Sequence, residues 1–387
     1  MRLSVLRWGL LFVAAVIAAF SLLTAFKPPV RMNWQLRMIA GIVVGEFGFG
    51  LGLLPLGTGV IAWFLRRGHT TIAIVTIGMC VMAFMLMVKP TLQAMRLGRD
   101  LPAQLTATFG PAYVDRPPFS ITTMLANRSE PVAIETMKYS DSLQLDFYRA
   151  AVRAPAPRVI SIHGGAWSGG DRTESAAIRQ FNAWLARHGC AVASIDYRLA
   201  PMARWPAQRD DVLAAMAYLR GHAQSLGIDP MRFVLLGRSA GGQLAEVAGY
   251  FAHDPGIRGV IAIYAPADLA VSWETSSKHD SFQQRRILEQ FLGGTPAAER
   301  AAYDGASGAL LAGPDSPPTL LLHGSLDTIV PADQSELMAE KLARLGVRHA
   351  LVSIPWGTHG FDYVSMNSPG GQITAYAIYW FLSTVTR

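Results

Sequence analysis

Charge is scarce in this chain. Asp, Glu, Lys and Arg make up 16% of 387 residues, and hydrophobic residues make up 51%. Mean hydropathy is +0.26. Cysteine is scarcer still: Cys80 and Cys190 are the only two, one in an apolar run and one in an expected strand. That excludes a disulfide framework and leaves the redox compartment open. His and Cys show no ligand spacing, so no metal site and no cofactor is expected. Repeats and low-complexity tracts are absent. The net charge of +7 comes without a basic stripe interleaved with aromatics, which argues against a nucleic-acid partner. Much of the basic charge flanks apolar segments instead, as at membrane edges.

The apolar excess sits in residues 1–90, which read as a transmembrane region of about three helices. Trp8 to Phe26 carries no charge and is long enough to cross a bilayer core of about 30 Å. A secretory signal peptide is the competing reading, but Lys27-Pro-Pro-Val-Arg31 follows where a small-x-small cleavage site would stand. Met38 to Leu65 is the second run. Its Gly41, Gly45, Gly48 and Gly52 have the spacing that suits close helix packing. Glu46 interrupts it and reads as a carboxyl packed between helices, with a functional role as the alternative. Thr71 to Val88 is the third, closed by Lys89-Pro90. These runs predict a multi-pass membrane protein. Basic residues divide six to four between the two sides, favouring a cytoplasmic catalytic part. Two crossings in the second run would invert that, so the side stays open.

Residues 91–130 read as a juxtamembrane helix to Gly110, then a proline-broken linker. Residues 131–387 alternate strands with helices. Val132–Tyr139 and Leu143–Ala150 form an initial hairpin. Strands at Arg158–Ile162, Cys190–Tyr197, Phe233–Leu236, Ile257–Tyr264, Thr319–Leu322 and His349–Ile354 follow, separated by helical patterns. The order predicts a mostly parallel α/β sheet with helices on both faces. On this reading a chain beginning at Thr122 folds and works alone.

The rest of the chain is organised around Gly237-Arg238-Ser239-Ala240-Gly241, a G-x-S-x-G between a buried strand and a helix. A serine hydroxyl needs a base, the base needs a carboxylate, and the oxyanion needs preorganised donors. His359, in a small-residue loop before the last helix, is the base candidate. Asp327, after the strand ending at Leu322, is the acid candidate. Its other reading is a cap for the helix that follows, and Asp268 is the rival acid, itself readable as a turn residue. His163-Gly164-Gly165-Ala166-Trp167 leaves backbone amides free to face an oxyanion. His188, His222, His253 and His279 lack such a context and read as surface histidines.

These motifs, with Asp196-Tyr197-Arg198-Leu199-Ala200-Pro201, make residues 130–387 resemble an α/β-hydrolase of the esterase/lipase group related to hormone-sensitive lipase, closest to its acetyl-xylan-esterase-like and kynurenine-formamidase-like branch. The resemblance implies Ser239 as nucleophile, Asp327 as acid and His359 as base, with Gly164, Gly165 and Ala240 as oxyanion donors. Two departures count against a lipase-like substrate: Ala166 replaces a third glycine, and Arg238 stands where the group often has Asp. Residues 264–317 leave room for a modest lid holding Trp273, Phe282 and Phe291. Trp167 and Phe361 are the candidate walls of a small acyl pocket. The expectation is a membrane-anchored serine hydrolase of short-chain carboxylic esters, meeting a small-molecule ester and a lipid bilayer, its oligomeric state open. Amide or formamide hydrolysis, and a non-catalytic membrane-bound binding module, are the alternatives.

Overall fold

The computed structural model describes residues 2–29, 31–126, 132–152 and 155–387. The end of the linker, residues 127–131, where the sequence puts the domain boundary, lies outside them. Four helices come first: α1 (Arg2–Ser21), α2 (Trp34–Leu51), α3 (Leu53–Phe64) and α4 (Thr70–Phe109). Among the described residues two helical segments, Leu3–Thr24 and α4, are long and apolar enough to cross a membrane. The α2–α3 pair, bent by 55° at Gly52, would make a third.

Two expectations about this region change. Met38–Leu65 is not one straight span. It breaks at Gly52, and α2 lies against the globular part. The third run and the juxtamembrane helix are one helix of 40 residues that continues through Pro90 and Pro102. Its length is about 60 Å, twice a bilayer core. Proline removes the N–H that would bond the carbonyl four residues earlier. For Pro90 that carbonyl belongs to Leu86, and the Thr24 hydroxyl, shared with Ser21 O, reaches it at 3.1 Å. A donor from a neighbouring segment thus satisfies the carbonyl that Pro90 leaves free.

After the short α5 (Ile121–Met124), eight strands among the described residues form one sheet: β1 (Ile134–Lys138), β2 (Gln144–Tyr148), β3 (Ala156–Ile162), β4 (Ala191–Ile195), β5 (Ile228–Arg238), β6 (Ile257–Ile263), β7 (Thr319–Gly324) and β8 (His349–Ile354). Their order is β1-β2-β4-β3-β5-β6-β7-β8, antiparallel at β1–β2 and β2–β4 and parallel from β4 to β8. The crossovers are α6 (Ala176–Arg187), α7 (Ala207–Gly221) with α8 (Ala223–Leu226), α9 (Ala240–Phe251), a group of four helices between β6 and β7, and α14 (Asp333–Arg344). The group of four comprises α10 (Leu269–Thr275), α11 (Gln284–Leu292), α12 (Arg300–Gly305) and α13 (Gly308–Leu311), and α15 (Pro369–Val385) closes the chain.

Residues alternate between the sheet's faces. Phe233 and Leu235 join α7, α9 and α14 in one core, while Val234 and Leu236 join α6 and α15 in the other. The second half of α4 enters that second core through Leu101, Leu105 and Phe109, all buried, with Phe109 edge-on to Phe381. Each such side chain contributes roughly 1.5–3 kcal/mol. Gln104 Nε2 donates to Leu351 O (3.0 Å), fastening α4 to β8 as well.

Candidate active site

Ser239 sits between β5 and α9 with φ 54° and ψ −121°, a backbone conformation that costs a non-glycine residue about 1–3 kcal/mol. The surroundings hold it there. Ser239 N donates to Ile263 O (2.9 Å), and a Cβ at Gly241 would collide with the Ile162 carbonyl. Ala240 is the first residue of α9, so its N–H has no partner within the helix. The turn after β3 lies against the same serine: a Cβ at Gly164 would be 3.4 Å from Ser239 Cβ. In that turn Gly165 (φ 120°), Ala166 (φ 53°) and Trp167 (φ 57°) all have positive φ. Ala166 therefore adopts the conformation a third glycine would take with less strain. Two contacts brace the turn. His163 Nδ1–H donates to Gly164 O (2.7 Å), and the His163 ring stacks on Tyr197 at 4.2 Å. Burial pushes the His163 pKa down, which keeps it neutral.

His359, in the loop after β8, bridges the other two residues. Its Nε2 is 2.9 Å from Ser239 Oγ, and its Nδ1 is 2.7 Å from Asp327 Oδ2. Asp327, after β7, is buried. Its Oδ1 accepts from Ile329 N (2.8 Å) and Val330 N (3.0 Å), closing a turn ahead of α14; it does not cap that helix, whose N-cap position is Ala332, and its other oxygen is left to His359. Burial works to raise its pKa, but the charge of His359 and hydrogen bonds from His323 and His359 outweigh it, holding the carboxyl well below the usual range. His323, near the end of β7, donates from Nε2 to Val330 O (2.9 Å) and meets Ser335 Oγ through Nδ1 (2.7 Å), locking the Asp327 turn onto α14. Asp268 is elsewhere: it caps α10, accepting from Ala270 N and Val271 N. His222, His253 and His279 are exposed, whereas His188 is half-buried against Trp184.

A narrow pocket opens above Ser239 and Ala240, walled by Trp167, Phe282, Ile287, Leu288 and Val330. It leaves about 20 Å³ for the centre of a water-sized sphere. Trp167 is fixed by Nε1–H donation to Gln243 Oε1 (2.8 Å) and by stacking on Phe291 (4.4 Å). Phe361 is not a pocket wall. Gly360 (φ 80°) turns the chain, and Phe361 enters the core against Tyr264 with no exposure. The second aromatic of the pocket is Phe282, from the lid; of the other expected lid aromatics, Phe291 is fully buried and Trp273 half-buried.

Sequence reading missed a buried network beneath the site. Arg238 pairs with Asp362 (2.7 Å), and Tyr264 Oη donates to the other Asp362 oxygen (2.7 Å). It joins the serine turn to the histidine loop. Tyr264 also packs under the His359 ring, 4.6 Å between centroids. Glu174 lies close to this network, and burial pushes it up to about 7. The available signal was Arg238 itself, a charge at the end of an apolar strand.

Comparison with known proteins agrees with this architecture. The family described as BD-FAE matches residues 145–342, just over half of the chain. Esterase LipC of Mycobacterium tuberculosis (strain ATCC 25618 / H37Rv) is 32% identical over 253 residues, which are 60% of this chain and 59% of LipC. The probable carboxylic ester hydrolase LipM of the same strain is 27% identical over 97% of this chain and 93% of its own length, so that match runs through the N-terminal helices as well. A bacterial heroin esterase aligns with TM-score 0.57 at 23% identity, over 75% of this chain and 92% of its own. Carboxyl esterase 2 from Tuber melanosporum aligns with TM-score 0.55 at 23% identity, over 66% and 88%. The structural likenesses speak for the α/β-hydrolase fold, and with the match over residues 145–342 they show that the chain belongs to the BD-FAE family, within the esterase group of α/β-hydrolases related to hormone-sensitive lipase.

Proposed function

We propose that this protein is a serine carboxylesterase that cleaves short-chain esters through an acyl-enzyme, with its N-terminal helices holding it at a membrane. The observation that carries the reading is the unbroken hydrogen-bond chain Ser239–His359–Asp327 on a strained strand-to-helix turn. His359 Nε2 takes the hydroxyl proton as Ser239 Oγ attacks the ester carbonyl carbon. Asp327, kept ionised, holds the proton on Nδ1 and stabilises the imidazolium. The carbonyl oxygen becomes an oxyanion facing the N–H groups of Ala240, Gly164 and Gly165. The imidazolium then protonates the leaving alkoxide, and a water repeats the sequence in reverse order to release the acid.

The narrow pocket between Trp167 and Phe282 supports a short acyl group. Several relatives carry esterase names, among them LipC and the carboxylesterase NlhH, which supports ester over amide chemistry. The outward-facing apolar side chains of α1, α3 and the first half of α4 support membrane attachment. The test is a fluorophosphonate probe on the full-length protein. It should label the wild type and leave Ser239→Ala unlabelled, with kcat on a nitrophenyl acetate lowered by roughly 10⁵- to 10⁶-fold. Equal labelling of the variant would remove Ser239 from the mechanism.

A further inference from the structure

Helix α2 reaches both ends of the site. Its N-terminal end meets the lid. Trp34 is edge-on to Phe282 (5.2 Å between centroids), Met32 O accepts from Ser281 Oγ (2.8 Å), and Arg37 pairs with Asp280 (3.0 Å), Arg37 and Asp280 both nearly inaccessible. Phe282 is the pocket wall, so these three contacts set one side of the acyl pocket.

The middle of α2 meets the histidine loop. A methyl at Gly41 would lie 2.5 Å from Thr358 Cγ2, and Ile42 Cδ1 approaches Gly360. Thr358 and Gly360 are the two neighbours of His359. Thr358 Oγ1 is buried with no hydrogen-bond partner, so shape alone makes this contact. One turn further on, Gly45 lies against Trp356, and the Glu46 carboxyl accepts from Trp356 Nε1 (2.9 Å) and Gly370 N (2.7 Å), joining the loop to the start of α15. The loop between Trp356 and Phe361 contains Gly357 and Gly360, and α2 covers it from outside. The opposite side of α2 presents Leu36, Ile39, Val43 and Phe47 to the exterior.

We infer that α2 is a positioning element of the active site, seating the loop of His359 through Gly41 and Glu46 and the acyl-pocket wall Phe282 through Trp34 and Arg37. The inference rests on the serine-esterase reading. A displacement of about 1 Å in a relay of this kind costs on the order of 10²-fold in rate. The N-terminal region is then part of the reaction machinery as well as an attachment, and any tilt of α2 reaches base and specificity pocket together.

The experiment compares the same substitution at two places on one helix, in full-length protein. At Gly50 an added methyl meets nothing within 4 Å. Gly41→Ala should lower kcat at least tenfold with KM within twofold, and Gly50→Ala should change neither by more than twofold. Gly41→Ala combined with Thr358→Ala removes the 2.5 Å clash, leaving the residue 358 Cβ 3.3 Å from the methyl, and should return kcat to within threefold of wild type. Trp34→Ala should shift the ratio of kcat/KM for butanoyl over acetyl nitrophenyl esters at least fivefold. Probe labelling of the wild type separates the two readings: an unlabelled wild type defeats the esterase reading. A labelled wild type in which Gly41→Ala matches Gly50→Ala, or in which the double variant folds without recovering, overturns the role of α2. Should Gly41→Ala not fold, an unchanged chain-length ratio in Trp34→Ala overturns it.

Discussion

In the hydrolase part the large apolar side chains are covered: Phe233, Leu235 and Leu236 of β5 and Phe381 of α15 have no exposure at all. In the N-terminal helices they face out: Phe12 is 70% exposed, Leu53 71%, Phe64 74% and Met85 66%. The first region is held together by removing apolar surface from water. On the membrane reading the second uses shape, because in lipid helices gain little from burying apolar side chains against each other. Glycine serves shape in both. In the hydrolase part, Gly241 at the start of α9 lets backbone meet backbone under the serine turn. In the helices, Gly48 lets α2 touch the Met87 carbonyl of α4. Helix α2 belongs to both regions, apolar outwards and fitted to the hydrolase inwards, and so the two regions meet in a packed surface.

Cutting at that surface gives the largest effect. A truncation beginning at Thr122 loses α2 and all of α4, baring the face of α15 that Leu101, Leu105 and Phe109 cover. It should yield aggregated protein without probe labelling. Deletion of residues 2–31 should keep labelling within about fivefold in detergent, and the full-length protein should stay in the membrane pellet after carbonate washing. Soluble, labelled protein from the Thr122 truncation would restore the simpler picture of a self-sufficient hydrolase.

The next effect is confined to the sheet's loops. Asp327→Asn should lower kcat by roughly 10³- to 10⁴-fold with little change in KM, because the wrong imidazole tautomer is favoured. Asp268→Asn touches only the cap of α10 and should stay within about tenfold. Steady-state kinetics on a short-chain ester, with circular dichroism for folding, decides between them. A crippled Asp268 variant beside a normal Asp327 variant would reverse the roles.

The smallest effect is on stability. Glu174 has its pKa raised by burial to about 7, against about 4.3 in the unfolded chain. The folded state therefore holds a proton that the unfolded state has released. Its stabilisation is complete below about pH 4 and is lost as pH rises through about 7. Glu174→Gln should flatten the Tm between pH 5 and pH 8 and raise it by a few degrees at pH 8. An unchanged Tm profile would place the pH response elsewhere.

What could be read from the sequence followed from distance along the chain. The strands, the serine turn and the loops bearing Asp327 and His359 each announce themselves within a few residues, through an apolar run and the glycines beside it. The resemblance supplied the pairing between those loops. The contacts that stayed hidden join distant residues: Arg238 with Asp362, Glu46 with Trp356 and Gly370, Thr24 with Leu86. The spacing of Gly41, Gly45 and Gly48 reads as close helix packing, but only Gly48 meets a helix; Gly41 and Gly45 meet the loop after β8, because periodicity announces a close approach and not its partner. Phe361 was misread for a related reason. An aromatic after a glycine can point either way, and here the turn at Gly360 sends it inwards.

Helix α4 has one more consequence. A continuous helix shared by two bodies sets their angular phase. Its first half packs with α1 and α3 and its second half with α15, and the helix is unbroken between them. Each residue inserted between those halves would advance the hydrolase by about 1.5 Å and turn it by about 100° relative to the apolar helices. The direction in which the pocket faces is therefore set by a residue count, as the timing of a camshaft is set by the tooth on which it is mounted.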